Sequence, residues 1–218
     1  MRTVLFDVDG VIIRGMHSDP ARWRRWDGEL KADLGIEPDL LVERFFKGVF
    51  STEVIVGRKS LIAALEETLP AVGFSGSPFS FVAYWFERDS ELDLQLVEIA
   101  RSLRECRSAR LFLATNQEHL RAFHLWNGLG LRHIFEDILY SARLGVAKPD
   151  RAFFEQVDRR IGPQPEPPLL FDDSPAVIEA ARAFGWEAVH VDDAADVGSH
   201  PWIRSMLDGP SRNDPGPE

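Results

Sequence analysis

The first eleven residues constrain this chain more than any other stretch. Val4, Leu5 and Phe6 form an apolar run of branched and aromatic side chains, and Gly10 marks its stop, which predicts a short buried strand. Asp7 and Asp9 follow at the C-terminal end of that strand, two residues apart. Side chains two apart on a regular strand share a face, so both carboxylates could serve one site. A polar turn capping the strand is the plainer alternative. In a doubly wound parallel sheet the ligand crevice lies at the C-terminal strand ends. The meaning of the pair therefore depends on whether the rest of the chain builds such a sheet.

From about Leu92 onward, the chain alternates in the required way. Leu96, Val97, Ala100 and Leu103 make an amphipathic helix, and Arg110 to Asn116 read as a strand. Gln117 to Leu129 read as a helix closed by Gly130, Ile138 to Ser141 as a short strand, and Asp150 to Ile161 as a helix. Leu169, Leu170 and Phe171 form a strand, Pro175 to Phe184 a helix stopped by Gly185, and Glu187 to Val191 a last strand. Repeated β–α order calls for an α/β fold, a doubly wound, Rossmann-like parallel sheet with helices on both faces.

Residues 14–90 interrupt that alternation. They carry helical spacing from Pro20 to Leu34, from Pro38 to Lys47, from Gly57 to Leu69 and from Ser77–Pro78 to Phe86, with little strand signal. The segment is too long for an ordinary connection. It reads as an inserted α-helical cap, with helices packed directly on the sheet as the alternative. The expected division is a core of residues 1–13 and 91–208, a cap of residues 14–90, and a disordered Pro-rich tail at 209–218.

With 218 residues, 44% of them apolar, the chain has enough material for a sizeable core. A net charge of −10 disfavours a nucleic-acid or anionic-membrane partner, each of which would want basic clusters. It does not oppose a small phosphorylated substrate, because a metal ion reverses the local sign. One cysteine, Cys106, allows no intrachain disulfide. With no apolar run of membrane-spanning length, the expected location is the cytoplasm. The oligomeric state is not legible.

Three strand ends carry polar groups: Asp7 and Asp9, Thr115 and Asn116, and Asp172 and Asp173. Lys148 follows the third strand in Gly145-Val-Ala-Lys148-Pro149-Asp150. The topology brings these ends to one crevice. Up to four carboxylates would then face one lysine, and crowded carboxylates raise one another's pKa unless a cation compensates. A hard, oxygen-liganded ion such as Mg²⁺ suits that cluster, and an ionised aspartate beside it could attack phosphorus.

In this order, Asp7-Val-Asp9-Gly10-Val11, Ala114-Thr115-Asn116, Lys148-Pro149 and Asp172-Asp173 resemble the four motifs of the haloacid dehalogenase-like hydrolase superfamily. The resemblance implies a Mg²⁺-dependent phosphomonoesterase acting on a small phosphorylated metabolite. It also implies a role for each matching residue. Asp7 corresponds to the nucleophile that becomes a phosphoaspartate, and Asp9 to the general acid–base. Thr115 corresponds to a hydroxyl donor to the phosphoryl group, and Lys148 to the cation that neutralises nucleophile and phosphate. Asn116 falls near the phosphate or substrate. Asp7, the Asp9 carbonyl, Asp172 and Asp173 correspond to the metal ligands. An acid at Asp9 favours ester hydrolysis over dehalogenation, because an alkoxide leaves with a proton and a halide does not. A phosphomutase of the same family and a catalytically silent binding protein remain alternatives. A phosphoacceptor receiver domain fits the motif order poorly.

His119 and His124 are five apart in a predicted helix and lack metal-binding spacing, so they read as structural or surface residues. Trp23, Trp26, Trp85 and Phe86 read as core of the helical insert.

Overall fold

In the computed structural model, residues 1–107 and 109–208 are described. Five strands form one sheet: β1 (Arg2–Phe6), β2 (Ala109–Thr115), β3 (Asp137–Tyr140), β4 (Leu169–Asp172) and β5 (Glu187–His190). Every pairing is parallel, in the order β3-β2-β1-β4-β5. The chain winds outward one way through β2 and β3. It then crosses back to place β4 and β5 on the other side of β1, so the switch point falls at the end of β1, where Asp7 emerges.

Period-two alternation divides the strands between two cores. Val4, Phe6, Leu111, Leu113 and Phe171 pack on one face, against the Leu94–Glu105 helix and the C-terminal helices. Leu5, Phe112, Ala114, Leu139 and Leu170 pack on the other, against Arg151–Ile161 and Pro175–Phe184. Several helix starts are set by local chemistry. Asp93 and Asp150 accept hydrogen bonds from the first-turn amides of the helices they precede, and Ser60 and Ser77 do the same farther upstream. Two helices at the C-terminal end, Ala194–Ser199 and Pro201–Leu207, lie beyond the last strand; an Asp193–Asp196 capping box starts the first and Pro201 opens the second.

A third apolar cluster, separate from both sheet faces, gathers Leu30, Phe45, Leu65, Phe81 and Trp85. Trp26 packs its ring near those of Phe46, Phe81 and Trp85. The chain leaves and re-enters the sheet side by side. Ile13 pairs with Leu92, Arg14 N–H donates to the Glu91 carbonyl at 2.7 Å, and Asp93 N–H donates to that of Ile12 at 2.8 Å.

Three sequence expectations in this segment need correction. No continuous helix runs from Pro20 to Leu34; only Leu30–Leu34 is helical. Asp19 does cap a first turn, accepting from Ala21 N–H, but the Arg24 amide is taken by the Gly15 carbonyl at 3.0 Å, which stops propagation. The second helix runs beyond Lys47. Pro38–Leu41 continues into wide turns over Val42–Val54, broken at Gly48, where φ −93° and ψ −119° are not helical. Gly57 does not open the third helix, which spans Leu61–Thr68 with Ser60 as its cap. The expected tail at 209–218 lies outside the described residues.

Gly57 has a different task. Its φ is +73°, and a Cβ there would sit 2.5 Å from the Ala142 carbonyl oxygen. Two residues earlier, the Ile55 carbonyl accepts a 2.6 Å hydrogen bond from Ser141 Oγ. This close backbone approach ties the helical segment to the short helix Ser141–Leu144 that follows β3. Gly57→Ala is expected to cost about 1–3 kcal/mol in backbone strain. At about 2–4 °C per kcal/mol for a chain this long, the thermal melt should fall by several degrees. An unchanged melt would show that the contact gives way freely.

Candidate active site

The C-terminal ends of β1, β2 and β4 open on a cavity of about 380 Å³. It is lined by Asp7, Asp9, Thr115, Asn116, Lys148, Asp172 and Asp173, together with Met16, His17, Ser18, Pro149, Ser174 and Val177. Every site residue expected from the sequence therefore meets at one place. A larger open groove of about 760 Å³ lies elsewhere, between the Pro163–Pro168 loop and Trp186; none of these residues lines it.

β1 ends at Phe6, so the two-residue face rule is not what aims Asp7 and Asp9. A tight turn does that. Ile13 N–H donates to the Val8 carbonyl at 2.7 Å, and Gly10 N–H to that of Ile13 at 3.0 Å. Gly10 sits at φ +79°, and a Cβ there would lie 2.6 Å from Asp173 Oδ2. Only glycine lets the end of β4 approach this closely.

Lys148 is buried between two carboxylates. Its Nζ lies 2.9 Å from Asp7 Oδ1 and donates to Asp172 Oδ2 at 2.6 Å. Asn116 fixes the lysine's backbone on both sides, accepting from Lys148 N–H at 2.8 Å and donating to its carbonyl at 3.0 Å. The Asn116 amide is thus engaged with the protein rather than left open to a ligand. Asp7 Oδ1 also accepts from Val8 N–H at 2.7 Å, and no hydrogen bond from the described residues reaches Asp7 Oδ2. Nor does Thr115, buried beside it, spend its hydroxyl on any of them. Asp172 Oδ1 takes Ser174 N–H at 2.9 Å, and Asp173 Oδ2 takes Ser18 N–H at 2.5 Å.

Burial on its own would lower the Lys148 pKa. Asp172 and Asp7 outweigh it and hold the ammonium above its ordinary value. Two buried acids share that one charge. Burial, with Asp7 adding to it, pushes Asp172 up to about 7 against the pull of Lys148. Asp173 is also raised, by burial first and by Asp7 second. Oxygens of Asp7, Asp172 and Asp173 all lie within 4.8 Å of one another. Three carboxylates and one lysine leave an excess of negative charge that a hard divalent cation would relieve.

Asp9 faces the other way. Its Oδ2 accepts from Gln117 Nε2 at 2.5 Å, and its Oδ1 lies 3.3 Å from Arg121 Nη2. Burial raises its pKa more than Arg121 lowers it, and Asp7 raises it further. A carboxyl whose pKa is raised is suited to proton transfer. Gln117 and Arg121 did not emerge as site residues from the sequence reading. A signal was there for Arg121: Glu118, Arg121, Ala122 and Leu125 share the i, i+3, i+4, i+7 stripe of a helix, and all four are buried. His119 and His124 stay outside the cavity lining. His124 hydrogen-bonds Ser90 Oγ at 2.9 Å and packs on Phe86.

Within this fold and this arrangement of acids and lysine, comparison identifies the class. Residues 1–185 match the haloacid dehalogenase-like hydrolase family, and the chain belongs to it. Fructose-1-phosphate phosphatase YqaB of Escherichia coli K12 is 26% identical over 188 residues, covering 86% of this chain and 95% of that protein. The HAD family enzyme BT-2542 of Bacteroides thetaiotaomicron superposes with a TM-score of 0.72 at 19% identity, covering 95% of this chain and 98% of that one. A complex of the same enzyme with magnesium and inorganic phosphate superposes at 0.69 and 18% identity, covering 87% and 93%. No helix among the described residues is long and apolar enough to cross a membrane.

The raised Asp172 pKa has a sign that can be checked. An acid whose folded pKa lies above its unfolded value binds more protons when folded, so it removes stability as pH rises between the two. In chelator, the wild-type melt should therefore carry a downward contribution from about pH 4 to about 7. Asp172→Asn should flatten the profile across that window. Parallel profiles for the two proteins would show that Asp172 is ionised throughout.

Proposed function

We propose that the chain is a Mg²⁺-dependent phosphomonoesterase that hydrolyses a small phosphorylated metabolite through an aspartyl-phosphate on Asp7. The observation that carries this reading is the asymmetry at Asp7. Lys148 and Val8 N–H hold Oδ1, while Oδ2 is left without a partner among the described residues beside the cavity. Magnesium in the crystallised relative and the phosphatase activity in the name of the Escherichia coli protein support it.

In this mechanism Asp7 Oδ2 attacks the phosphorus as the P–O ester bond breaks. Asp9 gives its proton to the departing alkoxide, and the alcohol leaves. Asp9, now a carboxylate, takes a proton from water as that water attacks the phosphoaspartate, which regenerates Asp7 and releases inorganic phosphate. Lys148 compensates charge on Asp7 and on the phosphoryl oxygens, and Thr115 donates its hydroxyl to one of them. Asn116 acts by fixing the Lys148 backbone. Asp7, Asp172, Asp173 and the Asp9 carbonyl would hold Mg²⁺, the donor set being all oxygen. Bound there, the ion supplies electrostatic stabilisation of the transferring phosphoryl group. Residues 14–90 form the cap over this core, and fructose 1-phosphate is the first substrate to test.

Asp7→Asn should abolish hydrolysis of both p-nitrophenyl phosphate and fructose 1-phosphate while the protein still melts cooperatively, because an amide is not a comparable nucleophile. Turnover near the wild-type rate in a folded Asp7→Asn protein would end this assignment.

Mg²⁺ at a hundredfold excess over its Kd should stabilise the native state by about 2.7 kcal/mol. That corresponds to several degrees, at about 2–4 °C per kcal/mol. Asp172→Ala should remove the shift, and in chelator it should melt at or above wild type because one repelling carboxylate is gone. An equal Mg²⁺ shift in both proteins, at matched ionic strength, would place the ion elsewhere.

A further inference from the structure

Arg121 is among the most completely buried large side chains in the protein, 2% exposed, yet it does not line the cavity. One of its nitrogens does nearly all the visible work. Nη2 lies 3.3 Å from Asp9 Oδ1 and 3.2 Å from Asp89 Oδ2, and it also donates to the Asp89 carbonyl. The guanidinium carbon sits 5.7 Å from the Trp85 ring centroid and 5.5 Å from that of Phe86. Asp89 is itself clamped. Its Oδ2 accepts the Trp85 indole N–H at 3.0 Å, and a Cβ on Gly15 would lie 2.6 Å from its Oδ1. Four pieces of chain therefore converge on one cation: the turn after β1, the outgoing linker at Gly15, the end of the Pro78–Arg88 helix, and the helix after β2.

Resting on the phosphatase reading above, we propose that Arg121 is a positioning residue for the Asp9 carboxylate, and that Asp89 holds Arg121 in place for it. Asp9 has one partner on each oxygen, Gln117 on Oδ2 and Arg121 on Oδ1. Those two contacts fix the plane of the carboxylate, and with it the direction in which a proton is delivered to the leaving oxygen. A buried arginine is costly to keep, and a well-packed apolar side chain would tie the same elements together at no greater cost. Arg121 Nη1 and Asp89 Oδ1 are buried without a hydrogen-bond partner among the described residues, so hydrogen bonding here is not optimised for cohesion alone. The direct contact with Asp9 is what an apolar replacement could not supply.

The test uses the full chain with Mg²⁺, and two esters: fructose 1-phosphate, whose alkoxide needs a proton, and p-nitrophenyl phosphate, whose phenolate does not. A general acid contributes about 10²–10⁴-fold where a proton is needed, so losing its aim should remove part of that. In Arg121→Met, kcat for the sugar phosphate should fall about 10–100-fold with KM within about threefold, while single-turnover phosphoenzyme formation from the aryl ester falls by less than about threefold. Arg121→Lys should recover part of the loss, and Asp89→Asn should show the same ester-dependent loss at smaller size. If Arg121→Met does not melt cooperatively, the ratio between the two esters in Arg121→Lys and Asp89→Asn decides. Equal losses on both esters, a change in KM alone, or no change overturns the positioning role and leaves the phosphatase reading standing. If wild type turns over only the aryl ester of these two, the alkyl arm is run with the alkyl phosphate it hydrolyses fastest and the same ratio decides; if it hydrolyses no alkyl phosphate, the positioning role falls. A wild-type chain that hydrolyses neither ester overturns the phosphatase reading, and the positioning role with it.

Discussion

The ammonium of Lys148 between Asp7 and Asp172 is the contact on which the site's geometry depends. Those three residues come from the end of β1, the end of β4 and the loop after β3, segments far apart in sequence that the parallel sheet brings side by side. Without the lysine, two carboxylates would face each other in a buried place, where removing one partner of a pair typically costs 3–5 kcal/mol. With it, one negative charge is still left over, and Asp173 adds another. The cluster is stable enough to persist and anionic enough to attract a cation. Asn116 completes the arrangement from behind, because a lysine on a loop can hold position only if its backbone is held too.

The core of the fold is legible in the sequence because its signals are short-range. Val4-Leu5-Phe6 and Leu169-Leu170-Phe171 are too apolar to be anything but buried, and Asp93, Asp150 and Pro175 mark helix starts by chemistry that acts within one turn. The helical insert is less legible, and the failures share a cause. Asp19-Pro20 is a valid helix start, yet the Arg24 amide finds the Gly15 carbonyl, a contact made only once the linker has folded back. Gly57 resembles a helix boundary, but its φ is set by the Ala142 backbone across the domain. Where a tertiary partner competes for a backbone amide or occupies the space of a Cβ, local pattern has no access to the outcome.

The same division separates the site residues. Asp7, Asp9, Thr115, Lys148, Asp172 and Asp173 are visible because each stands at a strand end or in the loop after one, and strand ends converge. Gln117, just before the helix that follows β2, and Arg121, on that helix, are one step removed and touch the cavity only through Asp9. An arginine on an apolar stripe between Glu118, Ala122 and Leu125 nevertheless marks a buried charge, and a buried charge requires a partner. Its partners, Asp9 and Asp89, lie 112 and 32 residues away in the chain, a separation that no periodicity reports.

The cavity lining bears on how the two parts of the molecule cooperate. From residues 14–90 it takes only Met16, His17 and Ser18. Ser18 is pinned to Asp173 through its amide, and its hydroxyl reaches the Asp173 carbonyl, so the outgoing linker is docked on the acid pair itself. The returning linker is held at Asp89 by Arg121, which also holds Asp9. One linker thus ends on Asp173 and the other on the arginine that contacts Asp9. A displacement of Ser18 or of Asp89 would pull on one of these two contacts. In this arrangement the helical segment meets the cavity through its two attachment points, and the side chains it contributes to the lining are those of the outgoing linker.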